Sequence, residues 1–251
     1  MNAIALCSAK GSPGVTFLAT ALVSAGRAYG AVLVEADAAG GDLALDSGIA
    51  ERPGLAQLAA RTRRLTHAPA ADAMADLVRD AAPGGPRVVT APVAPCAAET
   101  AVTLLAADPL MLISAAGSGP VIVDCGRVPG ASCPGWPLLV ACDAICLVVR
   151  GDVVSLGHAA MLAEALREVG RPFVFALIDT GPYRARETAA VLGTRCAGTV
   201  PYPARRGSRA LRRAGKTLYV ALAEVARTGA GDHAAATSEA DFNLREAVSS
   251  R

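Results

Sequence analysis

At 251 residues the chain is long enough to bury one full hydrophobic core, and its length does not require a second domain. Its apolar share of 53% includes only 4% aromatic residues, which suits small-residue helices packed closely on a sheet, and a net charge of +2 is too small to indicate a nucleic-acid partner by itself. The apolar runs at 110–123 and 128–142 are broken by Gly or Pro and fall short of the roughly 18–20 residues that span a bilayer; with no charged leader before the first strand, the expectation is a cytoplasmic protein.

Short β-branched runs alternate with Ala/Leu-rich helical stretches along the chain. A strand over 3–8 leads to a helix over 15–29, and a strand over 31–36 to helices over 54–64 and 70–81. A strand over 87–91 precedes helices over 99–107 and 108–115. Strands over 120–124 and 144–149, a helix over 155–169, a strand over 173–178, a helix over 184–192 and a strand over 198–200 follow. Helices over 208–214 and 217–227 close the pattern. Continuous apolar strands such as Ala31-Val32-Leu33-Val34 mark burial on both faces. The alternation predicts an α/β fold, a single doubly wound, mostly parallel sheet with helices on both faces, over residues 1–228. Periodicity is lost from Gly229, so 229–251 is expected to be a tail or short helix.

Seven cysteines, an odd number, occur without a CxxC pair, and buried reduced thiols are expected rather than a metal site. Cys142 and Cys146 are spaced to share one face of an apolar strand, and His67, His158 and His233 stand isolated.

The most informative segment is Ser8-Ala9-Lys10-Gly11-Ser12-Pro13-Gly14-Val15-Thr16-Phe17. A phosphate-binding loop is a Gly-rich turn between strand and helix that closes on Gly-Lys-Ser/Thr. Strand, turn and hydroxyl are present, but Val15 fills the lysine position. Two further segments belong at the carboxyl ends of neighbouring strands. One is the acidic stretch Glu35-Ala36-Asp37-Ala38-Ala39-Gly40-Gly41-Asp42; the other is Val121-Ile122-Val123-Asp124, an apolar strand ending in a carboxylate that could serve a metal-bound nucleotide. The bland alternative is an ordinary strand-to-helix turn, with Asp124 capping a loop.

Loop, acidic segment and strand-end acid together resemble the MinD/ParA family of deviant P-loop ATPases, over roughly residues 3–228. The resemblance implies ATP or ADP with Mg²⁺ as ligands, and a nucleotide-sandwich homodimer. It further implies that Lys10 is the lysine that reaches the partner's phosphates, that Thr16 and Asp124 serve Mg²⁺, and that Asp37 orients the attacking water. Gly11, Ser12, Pro13, Gly14, Val15 and Phe17 would complete the nucleotide loop. Glu35 matches the acid two residues before the switch acid. The segment from Val200, Pro201, Tyr202 and Pro203 to Gly215-Lys216 resembles the late loop around the adenine. Val15, Ser12 and Cys125-Gly126 depart from the family pattern. Loss of one charge-assisted hydrogen bond, about 1.5–3 kcal/mol, weakens binding roughly 10- to 100-fold and should harm the transition state more. The degenerate loop resembles the TadZ/CpaE-like pilus-localisation branch, which implies a positioning or assembly factor with weak or no hydrolysis. A competent ATPase switch and a pseudo-ATPase with Val15 and Phe17 closing the cavity are the alternatives.

Arg205, Arg206, Arg209, Arg212, Arg213 and Lys216 place six cations within twelve residues without an acid among them. The last four share one helix face. The face could hold nonspecific DNA through its phosphates, or be a solvated surface or a protein partner's contact. The tail around 238–248 has nearly balanced charge, so no autonomous membrane anchor is expected, and the identity of a partner machine is not encoded.

Overall fold

β1 (Ala3–Ser8) organises the rest of the chain. Ala3, Ala5 and Cys7 enter one core and Ile4 and Leu6 the other, all fully buried, as the two-residue period of a central strand requires. The computed structural model describes residues 3–11, 13–62, 72–114, 119–202 and 208–228. After β1 come α1 (Val15–Ala25), β2 (Val32–Glu35), α2 (Leu43–Ser47), α3 (Leu55–Thr62) and α4 (Asp72–Ala75). β3 (Arg79–Asp80), β4 (Arg87–Val89), α5 (Pro95–Ala106), α6 (Pro109–Ser114) and β5 (Val121–Arg127) follow. The second half comprises α7 (Trp136–Ala141), β6 (Ala144–Arg150), α8 (Val153–Glu168), β7 (Phe173–Asp179), α9 (Ala185–Leu192) and β8 (Cys196–Pro201), then α10 over 209–228.

The eight strands form one sheet in the order β3-β4-β2-β5-β1-β6-β7-β8. It is parallel except for the antiparallel β3–β4 pair at one edge. Leu58, Val102, Leu138, Leu162 and Leu192 cover one face from α3, α5, α7, α8 and α9. Leu18, Leu22, Leu218 and Leu222 cover the other from α1 and α10. This is the doubly wound α/β arrangement expected from the alternation. The chain leaves β1 toward β2 on one side, and the strands from β6 onward build on the other. Ligand crevices of open α/β sheets lie at such a reversal, beyond the carboxyl ends of the strands.

Several elements differ from expectation. Residues 79–80 do not end a helix; they pair with 87–88. The Pro83-Gly84-Gly85-Pro86 turn reverses the chain there, with Gly84 at φ 67° and the Gly85 amide donating to the Ala82 carbonyl at 2.7 Å. The run before Cys142 is helical, so Cys142 caps α7 and joins the core around Cys7, whereas Cys146 lies on the opposite face of the sheet. They do not share a face. The two closing helices are one helix, α10, with Gly215 and Lys216 inside it rather than ending a loop. Gly215 serves close packing: a Cβ there would stand 2.7 Å from the Ala21 carbonyl oxygen of α1. Ser12, Pro203, Arg205, Arg206, His67, His233 and 229–251 lie outside the described residues. Among the described residues, no helix is long and apolar enough to cross a membrane.

Candidate phosphate-binding cleft

Gly14 shapes the turn after β1. It precedes α1 at φ 98°, a left-handed conformation that a side chain would strain. α1 starts at Val15 with neither a side-chain cap nor an acid in its first turn, which leaves its leading N–H groups for an anion. Val15 is 6% exposed and packs into the core with Leu18 and Leu22, and Phe17 leans on the same core. An open cleft of about 360 Å³ nevertheless remains in front of the turn. Gly11, Pro13, Gly14, Val15, Thr16 and Phe17 line one wall; Ser8, Asp37, Ala39, Asp42, Asp46, Gly126 and Arg127 line the rest.

Asp124 ends the apolar stretch of β5, fully buried beside the cleft-lining Thr16 and not itself among the lining residues. Its Oδ1 accepts the Gly126 amide at 2.9 Å. Its buried Oδ2 has no hydrogen-bond partner among the described residues. Burial pushes its pKa up to about 7, against the lowering effect of the neighbouring Thr16 hydroxyl and the Gly126 amide, with Glu35 and Asp37 adding repulsion. A buried carboxylate oxygen left unpartnered beside a threonine hydroxyl, next to an uncapped helix start, fits a hard divalent cation such as Mg²⁺. Thr16 and Asp124 are the residues that would hold it.

Glu35 has a different role. It is fully buried, and its Oε1 accepts the amides of Asp42 and Leu43 at 2.8 and 2.9 Å while its Oε2 accepts that of Ala91 at 2.9 Å. Burial raises its pKa and these three amides oppose the rise. Glu35 therefore braces the loop that carries Asp37. Asp37 is partly buried, and its Oδ1 accepts the Ala39 amide at 2.8 Å. Burial raises its pKa too, with Asp42 contributing. Its carboxylate lies against Gly126, where a Cβ would collide with it.

Other candidate residues lie elsewhere. The Lys10 Nζ is 3.4 Å from His158 Nε2 on α8, and Lys10 does not line the cleft. His158 is thus not isolated. Pro201 and Tyr202, at the end of β8, are exposed and also off the cleft wall. Arg209, Arg212, Arg213 and Lys216 all lie exposed on α10. Sequence reasoning missed Arg127, whose signal was a cation three residues beyond the strand-end acid. It also missed the bracing role of Glu35, which depends on long-range amides that no local pattern specifies.

No protein-family model matches the chain, and no curated protein matches it in sequence. Solved structures do resemble it. The cell division ATPase MinD of Pyrococcus furiosus superposes with a TM-score of 0.70 at 16% identity, covering 90% of this chain and 100% of that one. A ParA family ATPase from Chlorobium tepidum gives 0.63 at 20% identity, covering 91% and 97%. MinD of Pyrococcus horikoshii, solved with Mg-ADP, gives 0.66 at 16% identity, covering 87% and 94%. The fold of this chain, a single mostly parallel α/β sheet with helices on both faces, is that of these MinD and ParA ATPases.

Proposed function

We propose that the protein is a MinD/ParA-like nucleotide-binding positioning or assembly factor, acting as a homodimer, with weak or no ATP hydrolysis. Residues 1–228 would form the nucleotide-binding unit. The observation that carries the reading is the unpartnered Oδ2 of Asp124 beside Thr16, beneath an uncapped helix start. The amides of Gly11, Gly14, Val15, Thr16 and Phe17 would surround the phosphates of ATP or ADP, and Pro201 and Tyr202 would flank the base. Bound Mg²⁺ would supply charge neutralisation between the phosphate oxygens. Asp37 would orient a water, but Val15 supplies no charge to the transferred phosphate, and turnover suffers more than binding from that loss. Lys10 would act across the dimer, since in its own subunit it leans on His158. Among the fold relatives, MinD is a cell division ATPase, and the degenerate loop favours a pilus or secretion machine as the partner.

Steady-state phosphate release at saturating Mg-ATP tests this reading. Release at background, with Mg-ADP or Mg-ATP binding detected by calorimetry, is the expected result. Turnover that disappears in Asp37→Ala would replace it with an active ATPase switch.

A second reading rests on the exposed cationic face of Arg209, Arg212, Arg213 and Lys216. It predicts nonspecific DNA retention that falls steeply with salt and drops in the Arg209→Ala/Arg213→Ala double variant. No retention at low salt would exclude it.

A further inference from the structure

We infer that Arg127 is the phosphate-binding cation of this cleft, supplying within the same subunit the charge that Val15 lacks. The inference rests on the nucleotide-binding reading above and names the residue through which that site would grip the polyphosphate of a nucleoside di- or triphosphate.

The first observation is charge. Among the described residues that line the cleft, three are carboxylates (Asp37, Asp42 and Asp46) and Arg127 is the one cation. Lys10 is turned away toward α8. A polyphosphate entering a wall of like charge needs a cation besides Mg²⁺ and backbone dipoles. A guanidinium can meet two phosphate oxygens at once.

The second observation is the backbone that places it. Along the β1–β5 pair the register runs Leu6↔Asp124 and then Ser8↔Arg127. β5 therefore carries one extra residue over this interval. Gly126 adopts φ 58° there, and the Asp37 carboxylate occupies the space a side chain would need. Bulges of this kind re-aim the side chains beside them. The result puts Arg127 next to Ser8, the first residue of the phosphate loop, since paired strands stand about 4.8 Å apart. The Val128 amide donates to the Ser8 carbonyl at 2.8 Å and fixes this junction.

The third observation is availability. Arg127 is exposed, and its guanidinium makes no hydrogen bond or ion pair with any described residue, although three acids share its cleft. Arg27, Arg61, Arg184 and Arg195, by contrast, each pair with a nearby acid. A cation left unpaired in an acidic cleft is set for an anionic ligand.

Calorimetric titration of the full chain with Mg-ADP and with Mg-ATP tests the inference. Arg127→Ala is expected to weaken binding about 10- to 100-fold. Arg127→Lys should retain part of the affinity, as a point charge in place of a planar fork. Introducing Val15→Lys into Arg127→Ala should recover it, because the two positions offer alternative sources of one charge. If the alanine variant loses its cooperative melt, Arg127→Gln replaces it, keeping the polar stem without the charge. Wild-type affinity in a folded Arg127→Ala or Arg127→Gln would overturn the role of Arg127 and leave the nucleotide reading intact. No binding by the wild-type chain would overturn that reading and this one with it.

Discussion

Asp124 and Glu35 are both buried acids, yet their surroundings give them opposite tasks. Glu35 satisfies three amides and is structural; Asp124 keeps a free oxygen. Removing Glu35 as Glu35→Ala strands two buried N–H groups and one partly buried one, and about 3 kcal/mol of stability should be lost in urea unfolding. Asp124 makes the metal-free protein sensitive to pH. Its folded pKa, about 7, lies above the usual 3.8, so the folded state binds its proton more tightly than the unfolded state does. The stability this contributes is fully present below the unfolded value and is lost as pH rises through the folded one, at up to about 1.4 kcal/mol per unit. Glu35 and Asp37 shift in the same direction. Melting of the metal-free chain between pH 5 and 7.5 should show the decline, and Asp124→Asn should flatten it. The loop spacing made Thr16, Asp37 and Asp124 legible as candidates, because strand-end acids and a Gly-rich turn leave a linear pattern. Arg127 left only a cation three residues beyond the strand-end acid, too little to mark it, since its placement depends on a bulge that only pairing with β1 reveals.

At the scale of elements, the strands with continuous Val, Ile and Leu were readable, because burial on both faces admits little else. Elements were missed where a short segment answers to a distant partner. α2 is held by Glu35, and β3 exists because the Pro83–Pro86 turn folds it onto β4 while the Arg79 guanidinium donates to the carbonyls of Ala50, Arg52 and Pro53. α10 was divided at Gly215 because glycine usually interrupts a helix. Here it admits α1 instead. Gly215→Val should push the two helices apart, and a loss of about 1–3 kcal/mol in thermal or urea unfolding is expected. Gly126→Ala strains the β5 bulge and crowds Asp37. It should impair nucleotide binding by calorimetry more than it lowers the melting temperature.

For the molecule as a whole, the cysteines form a built-in probe of the sheet. Cys7, Cys125, Cys142 and Cys146 are buried, and burial pushes the Cys142 and Cys146 thiols up to about 12. Cys96 is exposed. A thiol reagent at pH 8 should label Cys96 in the native protein and reach the four buried thiols only as the chain unfolds. Labelling of Cys7 and Cys146 at different urea concentrations would show that the two cores, on opposite faces of the sheet, come apart separately. The doubly wound order was legible from alternation alone; the cleft's charge balance was not, because the acids that follow β2 and the cation that ends β5 meet only in space. The brace that Glu35 makes to α2 and to the end of β4 has one more effect. The segment carrying Asp37 acquires its shape when the protein folds, before any ligand arrives. Association would then proceed as lock and key, with little disorder left to quench, and its heat-capacity change should be small.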